Sequence, residues 1–240
     1  MRNHTSSAAQ LPRDSNGSAL LKGVGGHVSA ITPSARHQGR FEVLVDGDTI
    51  ATLSLDAIER LVLHAGTPWT ESIAGRAAAE EAVLHTFDRA ANMLAARPRA
   101  ARDLERMLVR KGEPAADVAA AVHRLTAMGA LDDARFARQF IRSKIAGAGL
   151  SRRRLQSELW RRGVARDVVD AALTDVLAED EVDEDAQIAQ VAAKKLRTLR
   201  SLDPATGRRR LYAFLARRGY DSSAIRRVLD KLPGDELPHE

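Results

Sequence analysis

The chain has 240 residues, enough for one large domain or two to three small ones, and its hydrophobic content of 44% is ordinary for a globular protein. Lys and Arg number 37 against 32 Asp and Glu, a net charge of +5 that names no polyanionic partner by itself, so the distribution of charge matters more. Cysteine is absent, which excludes disulfides, thiol nucleophiles and Cys-based zinc sites and fits a reducing compartment.

Residues 1–26 are polar and rich in Ser, Gly and Asn, with no apolar core of a secretory signal. They read as a disordered tail. No apolar run approaches the roughly 18–20 residues that span a bilayer, so no membrane is implied and the expected location is cytoplasmic. Three runs with strand character follow: 28–31, 41–45 and 49–53. The last two flank Asp46-Gly47, a tight-hairpin signal, because the turn needs positive φ where glycine is unstrained. Ser54 or Asp56 then caps a helix through Ile58, Leu61 and Val62 that stops before Gly66. Residues 27–70 are therefore expected to form a small β element with an attached helix.

From Glu71 to Leu232 apolar residues recur at spacings of three and four, with charged residues on the opposite faces, which is amphipathic helix throughout. Breaks are expected at Pro98, Gly112 to Pro114, Gly129, Gly147 to Gly149, Gly163, Asp203-Pro204, Gly207 and Gly219.

One helical unit is written three times. Leu104, Leu108 and Lys111-Gly112 match Leu155, Leu159 and Arg162-Gly163, and then Leu211, Leu215 and Arg218-Gly219. Beyond each glycine come Val118, Val122 and Leu125; Val169, Leu173 and Val176; and Ile225, Leu229 and Leu232, each trio on one helix face. Each unit also has a preceding helix with an apolar stripe: Phe87, Ala90, Ala91 and Leu94; Phe136, Phe140 and Ile141; Ile188, Val191, Ala192 and Leu196. The glycines lie 51 and then 56 residues apart, the extra length falling near Leu202–Gly207. The expected fold is mainly α: three tandem three-helix repeats, at 71–131, 132–180 and 181–232, stacked in an elongated array. A small N-terminal β-hairpin element precedes them, and a tail at 233–240 follows.

With the first leucine of each middle helix at zero degrees, residues two before, two after and six after lie near about 160, 200 and 240 degrees, opposite the core. They include Arg102, Arg106 and Arg110; Arg153 and Arg161; Arg209 and Arg217. Lys111, Arg162 and Arg218 instead run their stems along the core face. Arg152-Arg153-Arg154 and Arg208-Arg209-Arg210 open two middle helices, where the helix dipole disfavours cations. Residues 186–231 hold twelve Lys or Arg against three Asp or Glu. Taken singly these cations read as caps and solvated surface. Taken together they favour an acidic partner surface or nucleic acid.

Six carboxylates within Glu179–Asp185 fit no EF-hand loop and read as a solvated linker with acids at a helix N-terminus. No P-loop, nucleophile elbow or His-Glu-x-x-His is present. The seven histidines are scattered, His123 reading as surface, and aromatics at 4% are too few for a base-stacking platform. The chain therefore reads as a binding protein with no catalytic residue, cofactor or metal. Trp160, off the core stripe, either faces a partner or packs at a repeat junction.

The segment Leu125, Gly129, Leu131-Asp132-Asp133, Arg135-Phe136-Ala137 and Phe140-Ile141-Arg142 closely resembles the RecX family of recombination regulators. So do Leu104, Leu108 and Lys111-Gly112 before it. Gly149, Leu155, Glu158-Leu159, Arg162-Gly163-Val164, Lys194-Lys195, Leu211, Leu215 and Arg218-Gly219-Tyr220 continue the resemblance, which covers roughly residues 85–232. It implies three tandem three-helix repeats and no active site. It also implies binding in the groove of the RecA recombinase filament, restraining filament growth, ATP turnover or strand exchange in recombination, DNA repair and the SOS response. A monomer is expected, with single- or double-stranded DNA as a second partner; direct DNA binding is the competing reading. The expected partner-binding residues are the seven outward arginines with Arg135, Arg138, Arg142, Arg152, Arg154, Arg208 and Arg210. Ala100-Ala101 depart from the family's usual Ser-Arg-type start of the first middle helix. The 27–66 element is similar to an N-terminal extension of some members.

Overall fold

The computed structural model describes residues 21–231. Its elements run β1 (Val28–Pro33), β2 (Arg40–Val45), β3 (Asp48–Ser54), α1 (Leu55–Leu61), α2 (Glu71–Ala96), α3 (Ala101–Arg110), α4 (Ala115–Ala127), α5 (Asp133–Ala148), α6 (Arg152–Arg161), α7 (Arg166–Glu179), α8 (Glu184–Leu196), α9 (Pro204–Arg217) and α10 (Ser222–Lys231). The fold is mainly helical with one small antiparallel sheet, as the sequence pattern implies. No helix among the described residues is long and apolar enough to cross a membrane. The described residues divide into two compact units, 21–93 with Leu108–Leu125, and Leu94–Met107 with 126–231.

The first unit centres on the sheet, in order β1-β2-β3. Asp46 (φ 51°) and Gly47 (φ 94°) make the two-residue turn that pairs Val45 with Asp48. Alternation along β2 and β3 sends Val43, Val45, Ala51 and Leu53 inward, against Ile58 and Leu61 of α1 and Ala74 and Ala77 of α2. Ser54 is the cap of α1, accepting from the Ala57 amide at 3.2 Å. Val62 takes a left-handed conformation after the helix and is exposed, so it ends α1 and does not join the apolar face. Trp69, which no periodic pattern marks, is fully buried in this core. Its amide donates to Gly26 and its carbonyl accepts from Gly25. Residues 23–26 are thus bonded to the core although they were expected within the tail; residues 1–20 and 232–240, Leu232 included, lie outside the described residues. On α2, Thr86 and Arg89 bond the Glu113 carboxylate, and Arg124 of α4 covers Phe87 at 5.1 Å.

The repeated residues recur for a structural reason in each repeat. Leu155, Leu159, Leu211 and Leu215 are at most 1% exposed, and so are Leu104 and Leu108. Gly112, Gly163 and Gly219 all have φ near 90° (93°, 87° and 90°). That conformation lets the next amide turn back to the second leucine's carbonyl: Glu113 to Leu108 (3.2 Å), Val164 to Leu159 (3.2 Å) and Tyr220 to Leu215 (3.4 Å). The α5–α6–α7 core holds Ile141, Leu155, Leu159, Val169 and Leu173; the α8–α9–α10 core holds Ile188, Leu196, Leu211, Leu215 and Ile225.

Two expected breaks are displaced. Gly207 lies inside α9 and is buried, because Asp203 caps the helix from the Thr206 amide (2.8 Å) with Pro204 behind it. Gly147 continues α5, which Gly149 ends at φ 56°.

Candidate partner-binding surface

The Leu131–Arg142 segment is mostly architecture. Leu131 is buried, and Asp132 caps α5 from the Arg135 amide at 2.9 Å. Asp133 Oδ1 accepts from the Ala101 amide at 2.8 Å, so it caps α3 from another helix. That accounts for Ala100: its side chain offers no cap, and it is fully buried instead. Ala137 and Ile141 enter the core.

Repeat-to-repeat joints use the same glycines. At Gly163 a Cβ would stand 2.4 Å from Arg102 Cβ; at Gly219 it would stand 2.6 Å from Arg154 Cβ and from Ser151 Oγ. Only glycine permits either approach. Arg106 Nη2 donates to the Arg161 carbonyl at 2.9 Å, and the Ser151 amide donates to the Arg218 carbonyl at 3.1 Å. Gly112 meets nothing within 4 Å.

These contacts divide the fourteen candidate arginines. Arg102, Arg106 and Arg154 hold joints, and Arg154 also pairs with Glu158. Arg142 bonds Glu179 at the end of α7 and Asp180 just beyond it; those two bonds, Asp180 first, hold its proton more tightly than in a free guanidinium. Arg208 bonds Asp230 and the Leu229 carbonyl, fixing α9 to α10. Arg161 donates to Ser157. Arg110 is exposed on α3. The rest, Arg135, Arg138, Arg152, Arg153, Arg209, Arg210 and Arg217, have no ion pair within 4 Å among the described residues, and all but the half-buried Arg138 are exposed.

Of the three core-face cations, two are stacked. Arg162 covers Phe140 at 4.5 Å and Arg218 covers Phe214 at 3.7 Å, but Lys111 is exposed. Trp160 is 40% exposed with Arg166 over its ring at 5.1 Å. The acidic stretch is exposed apart from Val182. Asp183 caps α8, while Glu179 and Asp180 serve Arg142 and Asp185 serves Arg227. The 37- and 38-residue separations of Arg142 from its carboxylates hide that clasp from any local pattern.

The profile of the second three-helix domain of RecX matches residues 132–173, and that of the third matches residues 183–229. Regulatory protein RecX of Mycobacterium avium (strain 104) is 39% identical over 131 residues, covering 55% of this chain and 75% of that protein. The protein of the same name from Chlorobium phaeobacteroides (strain BS1) is 32% identical over 146 residues, covering 61% and 92%. A crystal structure of a regulatory protein RecX superposes with a TM-score of 0.70 at 19% identity, covering 86% of this chain and all of that one, and so shares the fold. With the repeated leucine-glycine units and the Leu131–Arg142 segment in place on that fold, the chain belongs to the RecX family.

Proposed function

We propose that the chain is a regulator that binds the RecA nucleoprotein filament and restrains its ATPase, its growth and its strand exchange, in recombination and DNA repair within the SOS response. The observation that carries this reading is the set of exposed arginines on α6 and α9 that have no ion pair within 4 Å among the described residues: Arg152, Arg153, Arg210 and Arg217, with Arg209 near only Asp203, whose carboxyl it helps to hold low. A chain that needed them only for stability would pair them, as it pairs Arg142 and Arg208. In this proposal the repeats run over 71–131, 132–180 and 181–232, and the protein works as a cytoplasmic monomer without catalytic residues or cofactor. The arginines that hold joints set the angle between repeats, and the others meet acidic protein surface or phosphate.

The test is RecA with single-stranded DNA and ATP, following hydrolysis and strand exchange. Wild-type protein at equimolar ratio is expected to slow both; unchanged rates sink the proposal. Arg209→Glu/Arg210→Glu is expected to require roughly tenfold more protein for half-inhibition, a loss of about 1.4 kcal/mol. Equal potency would return those arginines to solvated surface. A second reading, direct DNA binding, draws on the same cations and is compatible with the first. It predicts affinity without RecA that falls steeply with salt as counterions are released.

A further inference from the structure

The two joints of the second unit are built alike but end differently. At the α8–α10 side, the turn Ala148-Gly149-Leu150 before α6 is sealed. A Cβ on Gly149 would stand 2.3 Å from Val191 Cγ2. Arg218 Nε donates to the Ala148 carbonyl at 2.6 Å, and the Tyr220 hydroxyl donates to the Gly149 carbonyl at 3.1 Å. The leucine register places Arg97-Pro98-Arg99 at the corresponding turn before α3, and counting from the capping Asp132 and Asp183 places Phe140 where Val191 stands. Proline and two long stems do not allow the close approach that Gly149 allows. The turn stays away from α5 and leaves an open groove of about 380 Å³, lined by Arg97, Pro98 and Arg99, by Asp103 of α3, by Phe136, Gln139, Phe140, Ser143 and Lys144 of α5, and by Arg162.

Four cations and one carboxylate line this groove, and Arg162 is also held by Glu158, whose carbonyl accepts from Nη1 at 2.7 Å and whose carboxylate lies at 3.3 Å. Arg99 Nη1 lies 3.6 Å from Asp103 and donates to Met107 Sδ at 2.9 Å, while its Nε is buried without a hydrogen-bond partner. Gln139 and Ser143 add neutral hydrogen-bonding groups. Phe140 is already covered by Arg162 at 4.5 Å and Lys144 at 5.5 Å, and Phe136 packs against it with ring centroids 6.0 Å apart, so neither ring is a free-standing apolar anchor. A peptide needs such an anchor for a lasting contact; a sugar-phosphate backbone does not.

We propose that this groove binds the phosphodiester backbone of a single-stranded nucleic acid, through Arg97, Arg99, Lys144 and Arg162, without reading bases. It deepens the DNA-binding reading above, and its assay contains no RecA, so its failure is separate from failure of the ATPase experiment.

The experiment measures fluorescence anisotropy of the full chain with a labelled oligothymidylate of about ten nucleotides and with an abasic oligomer of equal charge, across a salt series. Arg97→Gln/Lys144→Gln is compared with Arg200→Gln/Arg226→Gln, which removes the same charge from exposed positions outside the groove. Circular dichroism melts confirm that both variants fold. The groove variant is expected to bind about tenfold more weakly at low salt, with a salt slope flatter by about 1.4, two phosphate contacts' worth. The control variant is expected to stay within about twofold, and the abasic oligomer to bind like the thymidylate. Equal losses in both variants, or none in the groove variant, overturn the proposal. So does polyglutamate of equal charge competing as well as the oligomer, which would make the site one for acidic peptide.

Discussion

Substituting alanine at each repeated glycine separates local strain from inter-repeat packing. All three glycines sit near φ 90°, where an L-residue costs ~1–2 kcal/mol whatever surrounds it. At Gly112 that is the whole cost, since nothing lies within 4 Å of the new methyl. At Gly163 the methyl meets Arg102 Cβ at 2.4 Å, an atom fixed to its backbone. At Gly219 it meets Arg154 Cβ and Ser151 Oγ at 2.6 Å and the Arg154 amide nitrogen at 3.2 Å. Overpacking of that kind adds ~1–3 kcal/mol. Gly219→Ala and Gly163→Ala are therefore expected to destabilise by about 2–5 kcal/mol and Gly112→Ala by about 1–2. Each kcal/mol corresponds to roughly 2–4 °C in Tm for a chain of this size. Thermal melts followed by circular dichroism decide the matter. Three equal Tm shifts would refute the claim that the last two glycines seat a neighbouring repeat.

Tyr220→Phe deletes the hydroxyl that donates to the Gly149 carbonyl, leaving a buried acceptor unmet; a loss of about 1–3 kcal/mol in urea unfolding is expected, and an unchanged midpoint would contradict it. Burial pushes the Tyr220 phenol up to about 12, so the bond should hold through ordinary alkaline conditions; a tyrosinate absorbance rise near pH 10 that Tyr220→Phe diminishes would argue otherwise. At acid pH the α9–α10 pair should loosen. Asp203 is held below the usual carboxylate range by the Thr206 backbone and side chain, and Asp221 by the Ser223 hydroxyl and the Ala224 amide. Folded-state depression means their stabilisation is present above the unfolded value of 3.8 and is lost as pH falls through the lower folded values. Melts below about pH 4 should show a slope that Asp221→Asn reduces; an identical slope would remove Asp221 from the account.

Much of the fold was legible because its signals are local. Asp46-Gly47 specified its hairpin through two adjacent residues, and the leucine pairs with their glycines specified three helix ends. Trp69 was invisible as a core residue because a lone aromatic in a loop carries no period, and its partners, Gly25 and Gly26, lie in a stretch of tail-like composition. The arginines were legible as exposed but not as paired or unpaired. Arg106 meets a carbonyl 55 residues away and Arg208 a carboxylate 22 away, distances at which the outward angle of a helix position says nothing about what stands opposite. The segment Leu131–Arg142 is the stretch that carries the family resemblance most plainly. Its recognisability comes largely from Leu131 in the core, Asp132 and Asp133 as two caps and Arg142 as a clasp.

That redistribution bears on where recognition resides. A repeat needs its leucines, its glycine and its caps in order to exist, so those positions carry little information about a ligand. Information about a ligand lies where equivalent positions diverge without a folding reason. The clearest divergence is between Gly149 and Pro98. Either residue can end the turn before a middle helix, and both neighbouring helices are well packed, yet one turn closes on Val191 and the other leaves a basic groove. Closing the first joint would need only a glycine and a smaller neighbour, as the second joint demonstrates within the same unit. The open joint instead gathers four cations around a groove whose lining holds one carboxylate, and it leaves Arg99 Nε buried without a hydrogen-bond partner. In the reading proposed above, an anion in that groove offsets the gathered charge, in a joint between repeats beside the outward arginine faces that the helical pattern first brings to notice.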